Sequence, residues 1–267
     1  MSNSHRETTL PSSARVTLRN LTLDELDMIG SASGARASGP AMQAALTRVL
    51  QSCTVKVEDP GPYTTFTWNN TVAADHIWGL LQLRVASKGV NLPYPHTCEE
   101  CGEVFEAPVN LGTVDEGGNL NVVPIPPETL AALKLGGTVR RKLRNGDEVD
   151  IKQLLVADSA KTAKLIDSMK TSPIKAAFLA RCSAVHKPDG TIVNTAAGVS
   201  AYLGGLDLDS IDDFQDALAE VDGGVEDFVE DLVCPNCDHA NTVAVMSFFS
   251  APAFWGLKAR GKKRSRS

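Results

Sequence analysis

No stretch of this 267-residue chain approaches the about 18 consecutive apolar residues of a membrane-spanning helix, so no membrane span is expected. No apolar core follows the opening Met1-Ser2-Asn3-Ser4-His5-Arg6, so no secretory leader is expected either. A phosphate-cradling glycine loop and a nucleophile elbow are missing, and no Ser/His/Asp grouping stands above chance. The chain thus gives no positive argument for an enzyme. Cysteine is scarce, with six in all. Without an export signal, these favour metal binding over a disulfide framework. Hydrophobic residues make up 43% and charged residues 22%, which suits a globular chain with a sizeable core, as one large domain or two small ones.

Charge is unevenly spread. The net charge is −6, yet the last ten residues, Lys258 to Ser267, hold six bases and no acid. The rest sets twenty bases against 32 acids, a net of −12. A body that acidic repels a phosphate backbone, so nucleic acid is disfavoured as a partner except through residues 258–267. From Asp207 to Asp231 there are eleven acids and no base. That pattern is either a solvated helix face or a surface for a basic partner.

Four of the cysteines form two Cys-x-x-Cys knuckles, Cys98–Cys101 and Cys234–Cys237. Each offers two thiolates on a tight turn, half of the tetrahedral set that a structural zinc needs. The economical expectation is one structural zinc held by all four, closing a long insertion. Loop closure costs only logarithmically with length, whereas structural zinc supplies about 10–16 kcal/mol in small peptides. His96 and His239 lie within two residues of the knuckles and are possible substitutes. Cys98-Glu99-Glu100 spells half of a nucleoside deaminase signature, but Val233 stands where the partner half needs proline, and the separation is too long. The flanks also lack the βαβ setting of a redox knuckle. Cys53 and Cys182 sit on apolar helix faces and read as buried core thiols.

Along the chain, residues 1–13 read as unstructured. A short strand at Val16–Leu18 precedes a helix capped by Thr22 and Glu25. Gly30 to Gly39 is a flexible connection, Pro40 opens a helix, and Thr71 to Lys88 is the clearest helix, stopped by Gly89. Phe105–Leu111 and Leu120–Ile125 read as paired strands. Asn145-Gly146 marks a type I′ hairpin. Lys152–Met169 is helical in composition, and Ser172-Pro173 opens another helix. Ser210 caps a helix with Ile211, Phe214, Leu218 and Val221 inward, which Gly223-Gly224 ends. Phe248, Phe249, Phe254 and Trp255 cluster near the end, either tucked into the core or offered to a partner.

The expected architecture is α+β: a mostly helical body with short β-hairpins and a split four-cysteine zinc ribbon. A single domain spans 14–256, with ribbon halves near 92–112 and 230–250 and an insertion at 113–229. A disordered N-terminus (1–13) and a basic disordered tail (257–267) flank it.

The order of features resembles the baseplate hub and hub-assembly proteins of contractile-tailed bacteriophages, from about Leu10 to Trp255. The carriers are Leu10-Pro11-Ser12, Val16–Leu18, Leu21–Glu25, the Asp75…Leu80…Leu83-Arg84…Ser87…Gly89 helix, Tyr94, the Cys98–Gly102 knuckle, Val109-Asn110-Leu111, the Asn145-Gly146 hairpin, Ile211–Val221 with Gly223-Gly224, the second knuckle and Phe248-Phe249. Asp238 stands where a glycine is usual, and the basic tail departs from the family pattern. The resemblance implies a non-enzymatic viral protein, either a hub subunit or an assembly chaperone acting on hub or tape-measure proteins. It would work in the host cytoplasm during assembly or remain in the virion tail or baseplate. Candidate partner contacts are Phe248, Phe249, Phe254, Trp255, Asp212, Asp213, Asp216 and Glu220. The competing reading is a zinc-ribbon nucleic-acid-binding protein that uses the basic tail.

Overall fold

The structure is a computed structural model that describes residues 5–32, 39–113, 120–158, 173–225, 229–244 and 252–255. Its first half is built around one helix. Helix α3 (Ala73–Lys88) has eleven of sixteen residues buried, so it shows no polar face and is the axis of the main core. Helices α1 (Leu23–Ala32) and α2 (Gly39–Cys53) pack on one another, and α2 also packs on α3. Against α3 also lies an antiparallel sheet of β1 (His5–Thr9), β2 (Arg15–Arg19) and β3 (Thr54–Asp59). Of the residues 1–13 expected to be unstructured, 5–13 are ordered into the sheet and its turn: His5 to Thr9 pair with Arg19 to Arg15 along the whole strand, and residues 1–4 lie outside the described residues. The turn between them is pinned from inside. Buried Asp75 accepts from the Ser12 amide (2.9 Å), the Ser12 hydroxyl (2.5 Å) and the Tyr63 hydroxyl (2.7 Å).

Two further hairpins follow the same core. Strands β4 (Asn91–Thr97) and β5 (Val104–Asn110) pair in full register, as do β12 (Val229–Val233) and β13 (Ala240–Ala244). Leu92, Val109 and Leu232 drop into the core, where Phe254 and Trp255 join them. The last two sit in a single 3₁₀ turn, Pro252–Trp255.

Between these hairpins the chain makes a second core. Strands β7 (Val139–Lys142), β8 (Glu148–Ile151), β9 (Cys182–His186) and β10 (Ile192–Val193) form a four-stranded antiparallel sheet. Helices α5 (Pro173–Arg181), α6 (Ala196–Gly204) and α7 (Leu208–Asp222) accompany it. Val149, Ile151 and Val185 meet Phe178, Val199, Leu203, Phe214, Leu218 and Val221 there, with every member drawn from the insertion. A short ribbon is its neck: β6 (Val122–Val123) pairs with β11 (Gly224–Val225), and α4 (Pro127–Lys134) follows β6. Backbone bonds from Ala73 to Leu154, Val156 to Thr71 and Ala157 to Asn69 tie the stretch after β8 to the start of α3, and β11 of the neck packs on α3 as well.

A mostly helical body is not what forms. Among the described residues, thirteen strands in five small antiparallel sheets stand beside seven α-helices. The differences have local causes. Val122–Val123 pairs with β11, and β5 takes β4 instead, because Pro93 and Pro95 hide a strand whose proline side needs no ladder donor. Lys152–Leu155 runs extended into a 3₁₀ turn at Val156–Asp158, and Leu155 bridges to Val72; residues 159–169 lie outside the described residues. The cap of α7 is Asp207, which accepts from the Ser210 amide, not Ser210 itself. At the β7–β8 turn only Gly146 has positive φ, and its amide donates to Leu143. That is a three-residue loop with a glycine bulge rather than a type I′ turn, which needs positive φ at both centres.

Candidate metal centre

Both knuckles sit at hairpin tips, and the two tips have the same build. In the first, the Cys98 amide donates to Glu103 O (2.8 Å) and the Gly102 amide to Cys98 O (3.0 Å). In the second, the Cys234 amide donates to His239 O (2.9 Å) and the Asp238 amide to Cys234 O (3.0 Å). Each tip closes through a left-handed residue, Gly102 at φ 73° and Asp238 at φ 56°. Aspartate is one of the few side chains that tolerate that region, which accounts for its standing in the glycine position.

The tips face one another. Cys98 Sγ lies 3.7 Å from Cys237 Sγ, and Cys101 Sγ lies 3.6 Å from Cys234 Sγ. All four sulfurs fall within 4.8 Å of each other. Sulfurs at about 2.3 Å from one centre stand about 3.8 Å apart at tetrahedral corners, so the set fits a single four-thiolate ion. Cys98 and Cys234 are buried, while Cys101 and Cys237 are exposed. The chain joins both ends of the insertion at this point, as the knuckle spacing predicted.

Electrostatics also favours a cation here. The Cys101 amide, pointing at Cys98, lowers its thiol to about 6, and the Glu103 amide lowers Cys101. The His239 amide pulls Cys237 down, but desolvation and the sulfurs of Cys101, Cys98 and Cys234 outweigh it and push that thiol up to about 12. The first sulfurs ionise readily and the last only against their charge. A positive ion removes that conflict.

One residue of the site has no signal in the sequence. Asn241 is almost fully buried and spans both tips. It accepts from the Glu99 amide (2.9 Å), donates to Leu232 O and His239 O (3.1 Å each), and its amide nitrogen lies 3.8 Å from Cys98 Sγ. Neither His96 nor His239 belongs to the sulfur cluster.

The other candidate residues are not gathered at one place. Phe248 and Phe249 lie outside the described residues. Phe254 and Trp255 are fully buried, so they are core and not a partner surface. The cause is Arg84, itself buried on α3, whose Nε donates to Phe254 O (2.5 Å) and whose Nη1 donates to Gly89 O (3.1 Å). Burial lowers that guanidinium to about 10. On α7, Asp212 is exposed. Asp213 accepts from the Arg144 amide (2.6 Å) and pairs with its guanidinium, Asp216 lies 4.0 Å from Arg144, and Glu220 lies 3.4 Å from Arg141. Part of the acidic face is thus answered by the insertion's own hairpin. Cys53 and Cys182 are buried, and burial raises both thiols, to about 12 and about 11.

Fold and site define an α+β protein whose two distant hairpins are clasped by four cysteines able to hold one metal ion. The model of one known family, described as T4 bacteriophage base plate protein, matches residues 1–250. The chain belongs to that family and is a phage baseplate protein, in keeping with the contractile-tail resemblance of its sequence. No curated protein and no solved structure matches it. No helix among the described residues is long and apolar enough to cross a membrane.

Proposed function

We propose that this baseplate protein is a non-enzymatic builder of the tail, a hub subunit or assembly chaperone that holds hub or tape-measure proteins. It acts in the host cytoplasm during assembly and takes its place in the tail baseplate. The ion is zinc, one per chain. The observation that carries this reading is the closed sulfur set. Four thiolates at tetrahedral spacing leave no corner for water or substrate, which makes the ion a structural one. An all-thiolate tetrahedron suits zinc over the oxygen-preferring cations.

Asp212 and Asp216, exposed on α7, supply the acidic contact surface for a partner, joined by the outer sides of Asp213 and Glu220. The nucleic-acid alternative loses support at the clasp, where neither cysteine hairpin carries a Lys or Arg. Affinity purification from infected cells tests the reading. Hub or tape-measure protein is expected to co-purify, and cells lacking the protein to form few complete baseplates. Normal baseplates in its absence, with neither partner recovered, would overturn it.

A further inference from the structure

Among the described residues nothing packs over Val104 and Val233 on the outer face of the clasp, and the character of that face is unusual for this chain. On β4–β5 the inner residues Leu92 and Val109 are buried, while Val104 at the tip is 68% exposed. On β12–β13 Leu232 and Asn241 are buried, while Val233 at the tip is 59% exposed. Exposed carboxylates surround these valines: Glu99, Glu100, Glu103 and Glu106 on one hairpin, Asp231 and Asp238 on the other. No Lys or Arg occurs from Gly89 to Leu133 or from Pro188 to Leu257. All the missing basic charge follows at once, in Lys258, Arg260, Lys262, Lys263, Arg264 and Arg266.

The chain's course brings that segment to the same place. Arg84 bonds both Phe254 O and Gly89 O, so the turn ending at Trp255 lies beside the start of β4. Strand β4 then runs seven residues, about 23 Å, to the first knuckle. The twelve residues after Trp255 reach about 40 Å when extended. The tips are therefore within reach from Lys262 onward, which covers Lys262, Lys263, Arg264 and Arg266.

We propose that the basic segment 258–267 docks on the outer face of the two cysteine hairpins of its own chain. The aliphatic stems of its Lys and Arg residues cover Val104 and Val233, and their charges face the surrounding carboxylates. The body thereby neutralises its own tail, and the six cations are withdrawn from phosphate ligands. The docking requires the clasp to be closed but not any particular metal in it.

Zero-length carbodiimide cross-linking tests this on the full-length, metal-loaded protein in dilute, low-salt solution, with equal parts of isotope-labelled and unlabelled chain. Amide links are expected from Lys258, Lys262 or Lys263 to Glu99, Glu100, Glu103, Glu106, Asp231 or Asp238, all within one isotopic species. They are expected to vanish near 1 M salt, where screening extends over only about 3 Å. Amide exchange of 97–106 and 231–242 should quicken several-fold in protein lacking 258–267. The same change is expected in full-length Glu99→Gln/Glu100→Gln/Glu103→Gln, which alters only exposed side chains. Links of which about half join labelled to unlabelled chain, as random pairing of two copies gives, would place the tail on a second copy and overturn the intrachain docking. Links to other surfaces, or exchange indifferent to the tail, would overturn the surface itself.

Discussion

Asn241 shows what one side chain does in a clasp built from distant segments. Its carboxamide holds the Glu99 amide on the opposite hairpin and two carbonyls on its own. Asn241→Ala leaves those buried groups without partners, at a cost of about 2–3 kcal/mol. Because it orients Cys98, metal affinity should also fall about 10–100-fold. Denaturant midpoints and chelator competition measure the two effects, and unchanged affinity would remove Asn241 from the site. The cysteines were legible because ligand spacing is written locally. Asn241 was not, since its partner at Glu99 becomes a neighbour only when two hairpins meet. Phe254 and Trp255 were ambiguous for a related reason: the buried Arg84 that donates to Phe254 O lies 170 residues earlier.

A second residue-scale prediction concerns acid. His76 is buried beside Thr47 and burial lowers its ring to about 4, from an ordinary 6.5. The folded state refuses a proton that the unfolded chain accepts. Its contribution to stability is therefore present above 6.5 and lost as pH falls toward 4, at up to about 1.4 kcal/mol per pH unit. Asp75 works the other way. Burial raises its carboxyl, so its contribution is present below its ordinary 3.8 and lost as pH rises through the raised value. His76→Gln isolates the histidine: wild type should lose stability more steeply than the variant between pH 6.5 and 4 in denaturant titrations. Parallel curves would refute the assignment.

Among the elements, α3 sets the tolerances. A Cβ on Gly79 would stand 2.5 Å from Trp68 Cη2 and 2.7 Å from Cζ3. The indole cannot retreat easily, because it is fully buried and its Nε1 donates to Thr54 Oγ1 at 2.8 Å. Overpacking predicts that Gly79→Ala costs about 1–3 kcal/mol, although alanine ordinarily favours a helix; thermal unfolding decides the sign. Helices with local signals were readable: α3 with its Gly89 stop, α2 with Pro40, α1 with the Thr22–Glu25 cap. Strands defined only by their partners were not. Residues His5–Thr9 alternate no apolar side chains; Leu120–Ile125 did read as a strand, but the partner of Val122–Val123 lies about a hundred residues away and was not legible. The sequence therefore under-read the strands: among the described residues thirteen short strands stand beside the seven α-helices.

At the scale of the whole molecule, the two large cores among the described residues are joined beside α3, and the hairpins flanking the insertion are joined at the clasp. The neck of β6 and β11 ties the insertion to α3, and the cysteine clasp ties the hairpins that lead into and out of it. The insertion's core uses only its own residues, so the clasp is not needed to fill it. The clasp fixes where its ends meet and so holds the main core closed around Leu92, Val109 and Leu232. This much of the long-range plan was legible, because two half-sites of matching chemistry demand one another. The most direct test is a double-mutant cycle on metal-loaded protein, with unfolding free energies for Cys98→Ser, Cys237→Ser and the pair. One shared ion predicts two similar, large single losses and a double loss scarcely greater than either. Full additivity would mean two separate sites and would contradict the clasp.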